Sequence, residues 1–479
     1  MLGSFSVKFE PDVPLMLRDG TITYADVYRP DRSGRFPALI KRTPYNKGMP
    51  ASRTGLLDAI WCAGHGYAVV VQDIRGRFSS DGEFYAFVDE INDGYDSVEW
   101  TAAQPWCNGK VGMFGSSYIG AAQWLAASAR PPSLRCIVPG VTASDFHDGW
   151  TWRGGAFELG FNLHWALGSL AAANWDNLSN RLFLSPRQNE VLIEAHDNIM
   201  AGYNFLPMRE IPELEGGLAP YYYDWLDHPE YDDYWRCINI EEFHSKIEVP
   251  AFNIGGWYDI FLSGTLRNFS RMRDLGATEE SRRGQQLTIG PWIHSDPFSS
   301  VSGEVDFGTR ASGAAQDLQG RILRFCDFWL KGEDNGVAED KPVRIFVMGE
   351  NVWRSEDEWP LERAAVVDYH LHSQGKANTL NGDGWLDPES PREEPPDVYV
   401  YNPIGPVPTR GGALCCDPAI VPPGAYDQRH IEARPDVLVY TTPPLESYLE
   451  VTGPIVLTLY ASSSARDTDF TAKLVDVCE

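Results

Sequence analysis

Between Lys110 and Ser128 a short apolar run, KVGMFG, passes through two serines into YIGAAQWLAAS. The run ends on glycine, and the small and apolar residues that follow suit a packed helix. A strand that turns into a helix this abruptly needs residues without bulk at its tightest point. Gly115 stands two residues before Ser117 and Gly120 three after it, whereas Ser116 has Phe114 at the earlier position. At the C-terminal edge of a parallel sheet such a turn presents a serine nucleophile. The spacing points to Ser117, because a nucleophile at Ser116 would put an aromatic ring inside the turn. Ile119 stands where a Gly-x-Ser-x-Gly motif has its second glycine. By its local pattern alone, the stretch reads equally well as a glycine-rich turn with a helix-capping serine.

The surrounding sequence supplies the sheet. FPALIKRTPY, YAVVVQDIRG, LRCIVPGV, VPAFNIGG and QQLTIG are short, β-branched-rich runs separated by helical patterns. Continuous apolar strands alternating with helices indicate an α/β fold with a parallel sheet covered on both faces. From residue 145 to 240 the texture shifts to Trp, Tyr, Leu and Asn at helical spacing, which predicts a helical insertion lying over the sheet. A further helix, AAQDLQGRILRFCDFWLKG, is expected to stop at Gly332. From residue 342 the runs VRIFVMG, VVDYHLH, DVYVYN, DVLVYTT, IVLTLYAS and FTAKLVDV alternate between Pro/Gly/Asp-rich turns, a β-sandwich signature. The expected organisation is a core domain in two parts, 1–144 and 241–341, a cap at 145–240 and a sandwich at 342–479.

A net charge of −27 argues against nucleic-acid partners and anionic membrane surfaces, which both require a basic face. The N-terminal stretch MLGSFSVKFEPDVPLMLRDG lacks a basic region followed by an apolar core, and no apolar run is long enough to span a bilayer. The eight cysteines are scattered, with Cys415 and Cys416 adjacent and no CxxC pair. That usage predicts reduced, buried thiols in a cytoplasmic protein, with neither a disulfide framework nor a zinc site. His370 and His372 can share a strand face, but no third ligand lies near them, so no metal site is expected there.

Two further residues stand at strand ends. AFNIGGWYDIF places Asp259 just past one apolar run, and LTIGPWIHSDPF places His294 just past another. Serine, acid and histidine in that order, each after a strand, match the triad order of an α/β-hydrolase. A tetrahedral intermediate also needs donors for its oxyanion. The backbone N–H of Tyr118 follows the nucleophile, and KRTPYNKG carries Tyr45 after an early strand. By position alone, Tyr45 is read first as a packing residue, as most tyrosines are.

These stretches, with VVVQDIRGRFSSDGEF, HPEYDDYW and LTLYASSSARDTDFTAKLVDV, resemble the cocaine esterase-like (CocE/NonD) hydrolases, relatives of X-prolyl dipeptidyl peptidases and α-amino acid ester hydrolases. The resemblance covers essentially the whole chain. GSSYIG reproduces the family's Gly-x-Ser-Tyr-x-Gly pattern, whose second glycine comes one position later. It implies an α/β-hydrolase fold with a helical cap and a jelly-roll-like C-terminal sandwich. It also implies Ser117 as nucleophile, Asp259 and His294 as its partners, and Tyr45 with the Tyr118 amide as oxyanion donors. Phe261, Trp150 and Trp152 correspond to the acyl pocket, and Asp73 and Arg75 to scaffold. No cofactor or metal is implied. Two departures stand out. Asp259 is followed by Ile260, Phe261 and Leu262, so the acidic cluster that holds a substrate ammonium in α-amino acid ester hydrolases is absent. Family sandwiches also run on past the point matching KLVDV, so the sandwich is expected to be incomplete. The implied activity is hydrolysis of small-molecule carboxylic esters with aromatic or bulky acyl groups. An X-Pro dipeptidyl peptidase or β-lactam side-chain acylase is the alternative, and an inactive binding protein the reading from another class. No oligomeric state follows from the sequence.

Overall fold

The computed structural model describes residues 5–477. Its centre is a ten-stranded sheet. In chain order the strands are β1 (Val7–Met16), β2 (Ile22–Pro30), β3 (Phe36–Thr43), β4 (Ala68–Asp73), β5 (Cys107–Ser116), β6 (Leu134–Gly140), β7 (Phe252–Tyr258), β8 (Gln286–Ile293), β9 (Val343–Val347) and β10 (Val352–Glu356). In space they run β1-β2-β4-β3-β5-β6-β7-β8-β9-β10. The pairs from β4 through β3 to β9 are parallel, and β1, β2 and β10 join antiparallel at the two edges.

The apolar runs are continuous because both faces are covered. Along β4, Ala68 and Val70 enter one core and Val69 and Val71 the other. Ala38 and Ile40 of β3 likewise face opposite to Leu39. This is the two-residue period of a pleated strand, with helices on each side of it. Helix α1 (Ala59–Gly64) contributes Ala59, Cys62 and Ala63 to one face. Helices α2 (Glu90–Ala103) and α3 (Tyr118–Ser128) contribute Val98, Trp124 and Leu125 to the other. Helix α4 (Leu262–Leu275) packs Phe269 against Leu287 and Ile289 of β8. Helix α5 (Leu318–Cys326) returns to the first face with Ile322 and Phe325. The chain then stops turning at Gly332, whose φ of 73° is left-handed, as the sequence predicts.

The expected cap is built from short helices between Leu159 and Arg236, including a π-helical segment at Trp165–Ala171. Its Leu163, Trp165, Leu167 and Trp225 join the same core as α3.

The region after residue 342 differs from its expected form. VRIFVMG does form a strand, but β9 pairs in parallel with β8 and so extends the central sheet. VVDYHLH contributes only β11 (His370–His372), which pairs with β12 (Trp385–Asp387). DVYVYN, IVLTLYAS and FTAKLVDV carry no strand among the described residues, and DVLVYTT makes only isolated bridges from Leu438 and Thr441. Alternation makes a segment able to form a strand, but a ladder also needs a partner at hydrogen-bonding distance. His372 is held by Glu394 at 2.7 Å and by the Glu389 carbonyl at 3.0 Å.

Candidate active site

Ser117 follows directly on β5 and has φ 61° and ψ −128°, a conformation that costs a non-glycine residue energy. Ser116 is still a ladder residue opposite Gly140. The Ser117 amide donates to the Gly140 carbonyl at 2.9 Å, which holds the turn shut. A Cβ on Gly115 would stand 2.3 Å from Ile119 Cγ2, and one on Gly120 would stand 2.9 Å from the Gly140 carbonyl oxygen. Gly115 therefore leaves room for Ile119, and Gly120 lets α3 approach β6. The strained residue is the second serine of the pair.

Asp259 lies one residue past β7 and is fully buried. Its Oδ1 accepts from His294 Nδ1 at 2.7 Å and from the Phe261 amide at 3.2 Å. His294 follows β8 directly, and its Nε2 lies 3.0 Å from Ser117 Oγ. With the Nδ1 proton donated to the carboxylate, Nε2 carries no hydrogen and can accept from the serine hydroxyl. The residues that the sequence set at three strand ends thus form one hydrogen-bonded chain.

Tyr45, just past β3, lines a cavity together with Ser117 and His294. The Trp165 indole N–H donates to its hydroxyl oxygen at 3.2 Å. Burial pushes the Tyr45 phenol up to about 12, so it remains a donor at neutral pH. The Tyr118 ring is committed elsewhere. Its hydroxyl donates to Glu90 at 3.0 Å and accepts from the Phe87 amide at 3.0 Å, leaving the main-chain N–H as its offering to the site. Asp73 and Arg75 are scaffold. Asp73 accepts the Lys47 amide at 2.6 Å behind the Tyr45 loop, and burial raises its carboxyl to about 6. Arg75 pairs with Asp93 at 2.8 Å.

A cavity of about 270 Å³ opens over these groups, lined by Tyr45, Ser117, Phe161, His164, Trp165, Ser169, His294 and Cys416. The aromatics expected from sequence lie elsewhere. Trp150 and Phe261 are stacked on each other at 4.2 Å, fully buried behind Phe161 and Trp165. Trp152 is turned away, with its indole N–H on the Trp225 carbonyl at 3.2 Å. Bulky rings in the cap pack in layers, and only the inner layer meets the cavity.

The far wall comes from the C-terminal region. Leu414 bridges to Asp259, Cys416 reaches the cavity, and Asp417 comes within 3.8 Å of His164. Burial, then the neighbouring His196, lowers the His164 pKa and favours its neutral form. Cys415 and Cys416 are joined as a disulfide, against the expectation of reduced thiols. Adjacent residues already hold the two sulfurs within reach of one another. Cys62, Cys107, Cys136 and Cys326 are free and buried, as expected, while Cys237 is exposed. Sequence reasoning missed Phe161, His164, Trp165, Ser169 and Cys416. The adjacent cysteines were the one visible signal, and nothing local connects them to the nucleophile.

The family model for X-Pro dipeptidyl-peptidase (S15 family) matches residues 19–296, the span that holds every group of this relay. The chain belongs to the S15 family. The model for the family's C-terminal non-catalytic domain matches residues 335–479 of the S15 protein. Cocaine esterase from Rhodococcus sp. is 38% identical over 99% of this chain and 81% of that relative. An aminopeptidase from a marine sediment archaeon, at TM-score 0.67 and 23% identity, covers 92% of this chain and 72% of its own. An α-amino acid ester hydrolase, at TM-score 0.65 and 22% identity, covers 94% and 74%. These two structures share the fold. The S15 protein is a serine hydrolase of the CocE/NonD group. No helix among the described residues is long and apolar enough to cross a membrane.

Proposed function

We propose that this S15 hydrolase cleaves small-molecule carboxylic esters whose acyl group is aromatic or bulky, through an acyl-enzyme on Ser117. The observation that carries the reading is the Ser117–His294–Asp259 hydrogen-bonded chain, whose Ser117 and His294 line a cavity with Phe161 and Trp165. Ser117 attacks the ester carbonyl while His294 Nε2 takes its proton. Asp259 stabilises the imidazolium and keeps Nε2 directed at the serine. The negative oxygen of the tetrahedral intermediate rests on the Tyr45 hydroxyl and the Tyr118 amide, each contributing roughly 3–4 kcal/mol. His294 returns the proton to the departing alcohol, and water repeats the sequence on the acyl-enzyme.

Esters are favoured over aminoacyl or dipeptidyl substrates because no carboxylate is among the residues that line the cavity, the nearby Asp417 carboxylate standing 3.8 Å from His164 and next to Cys416 in the chain. Cocaine esterase, an ester hydrolase by its name, is 38% identical to the chain and supports the same choice. We place the protein in the cytoplasm, acting without nucleic-acid or membrane partners, on its charge and on the four free thiols buried among the described residues.

The test compares nitrophenyl benzoate and butyrate, an X-Pro anilide and a glutaryl-β-lactam side by side, with phosphonate labelling of wild type and Ser117→Ala. Turnover of the esters above the amides, benzoate at least equal to butyrate, and labelling lost in Ser117→Ala are expected. Preferred turnover of the X-Pro anilide would move the assignment to a peptidase. Labelling that persists in Ser117→Ala would transfer the nucleophile to another residue.

A further inference from the structure

Arg77 is fully buried, yet among the described residues it has no ion pair. Leaving a guanidinium in the interior without a carboxylate is costly unless its donors are otherwise used. Here they go to three main-chain carbonyls on two distant segments. Nε donates to Pro44 at 2.8 Å, Nη2 to Ser169 at 2.8 Å, and Nη1 to Leu170. The rings of Phe78 and Phe84 each lie 5.0 Å from the guanidinium carbon. Asn174 fastens the flanking backbone to the cap, donating to the Gly76 carbonyl at 2.9 Å and accepting from the Phe78 amide at 2.8 Å.

The two segments are those that meet at the Tyr45 hydroxyl. Pro44 precedes Tyr45 in the chain, and Ser169 and Leu170 share the π-helical segment with Trp165, whose indole N–H bonds that hydroxyl. We propose that Arg77 is a positioning residue that holds Tyr45 and Trp165 in register over the Ser117 hydroxyl, and so keeps the oxyanion donor in place. This rests on the reading of Tyr45 as an oxyanion donor. The guanidinium is planar and reaches three carbonyls at fixed angles, which a lysine ammonium cannot reproduce. Its charge also works on the phenol, opposing the rise that burial imposes on Tyr45 and making the hydroxyl a better donor. Burial brings Arg77 itself down to about 10, which leaves it charged at neutral pH.

The test uses single-turnover acylation and steady-state hydrolysis of nitrophenyl butyrate by wild type, Arg77→Lys, Arg77→Gln, Tyr45→Phe and the two double variants. Arg77→Lys is expected to lower kcat by about 10–100-fold while KM moves by less than about threefold, as for an interaction that acts in the transition state. In a Tyr45→Phe background the same change is expected to cost less than about threefold, since the group it positions is gone. Losses that multiply in the double variants would overturn the proposal, as would an unchanged kcat in Arg77→Lys. Failure of both Arg77 variants to fold would make the residue structural and overturn it too. If Tyr45→Phe alone leaves kcat unchanged, the oxyanion reading itself fails, whatever the Arg77 variants do.

Discussion

Val70 and Val456 stand in runs of similar composition, AVVVQD and IVLTLY, with opposite outcomes. Val70 has no exposed surface and Val456 is 84% exposed. The first lies in β4 with β2 and β3 hydrogen-bonded on either side, while the second lies in extended chain without a ladder among the described residues. β-propensity is a fitness for a pleated, half-buried surface, and neighbours turn it into burial. The same contrast holds for polar groups. In the catalytic part, charges such as Asp259 and Arg77 are buried and each meets named donors or acceptors. In the C-terminal part most side chains are open to solvent, and its contribution to the site is a single loop, Leu414–Asp417.

Substitutions should therefore weigh very differently in the two regions. The largest effect is expected from Asp259→Asn, which keeps the shape of the site but supports the wrong histidine tautomer. kcat for nitrophenyl butyrate should fall by roughly 10⁴-fold. A loss under tenfold would mean that the buried carboxylate does not orient His294.

Trp150→Ala comes next. Removing a fully buried ring that stacks on Phe261 should cost about 3–5 kcal/mol in urea unfolding. A cost below 1 kcal/mol would show that the cap core collapses around the gap.

Acid should also act on the catalytic part. His244 is fully buried, donates Nε2–H to Asn268 at 2.9 Å and accepts from Arg271 Nε at 3.3 Å, so protonation would set two cations together. Burial, chiefly, takes its pKa to about 4, against an ordinary value of 6.5. The unfolded chain then binds the proton first, so stability is full above pH 6.5 and falls as the pH drops toward 4, by about 3 kcal/mol. His244→Gln should flatten that window in urea melts at pH 7, 5.5 and 4, and an equally steep loss in the variant would assign it to other groups.

Smaller still is the effect of Cys415→Ser with Cys416→Ser. Altering one wall of the cavity should shift KM for benzoyl esters by up to about tenfold and leave acetyl ester turnover nearly unchanged. No shift for either ester would detach the C-terminal loop from substrate binding. Least of all, Tyr460→Ser, at a side chain 97% exposed, should change stability by less than about 0.5 kcal/mol. A larger cost would mean that this surface is covered in solution and that the contrast between the two regions is weaker than it looks.

The hydrogen-bonded chain of Ser117, His294 and Asp259 was legible because a parallel sheet sets the C-terminal ends of its strands side by side. Ser117, Asp259 and His294 each follow an apolar run, in the order the fold demands, and Gly115 and Gly120 mark which of two serines takes the strained backbone. By position Tyr45 reads as a packing residue, and only the tertiary structure brings its hydroxyl to the Trp165 indole N–H and its side chain into the cavity with Ser117. The pocket wall was not legible. Trp150, Trp152, Phe161, Trp165 and Phe261 are chemically alike, and which of them faces the cavity depends on how the cap's layers stack.

Local sequence by itself determined the α/β core, the elbow and the three strand-end residues, because strand period and turn geometry act over a few neighbouring positions. Tertiary structure alone decided that β9 joins the central sheet and that Cys416 closes a cavity begun about 370 residues earlier by Tyr45. It also decided that Arg77 spends its donors on Pro44, Ser169 and Leu170. Those outcomes rest on contacts between segments far apart in the chain, and no local periodicity encodes which surface a side chain will meet.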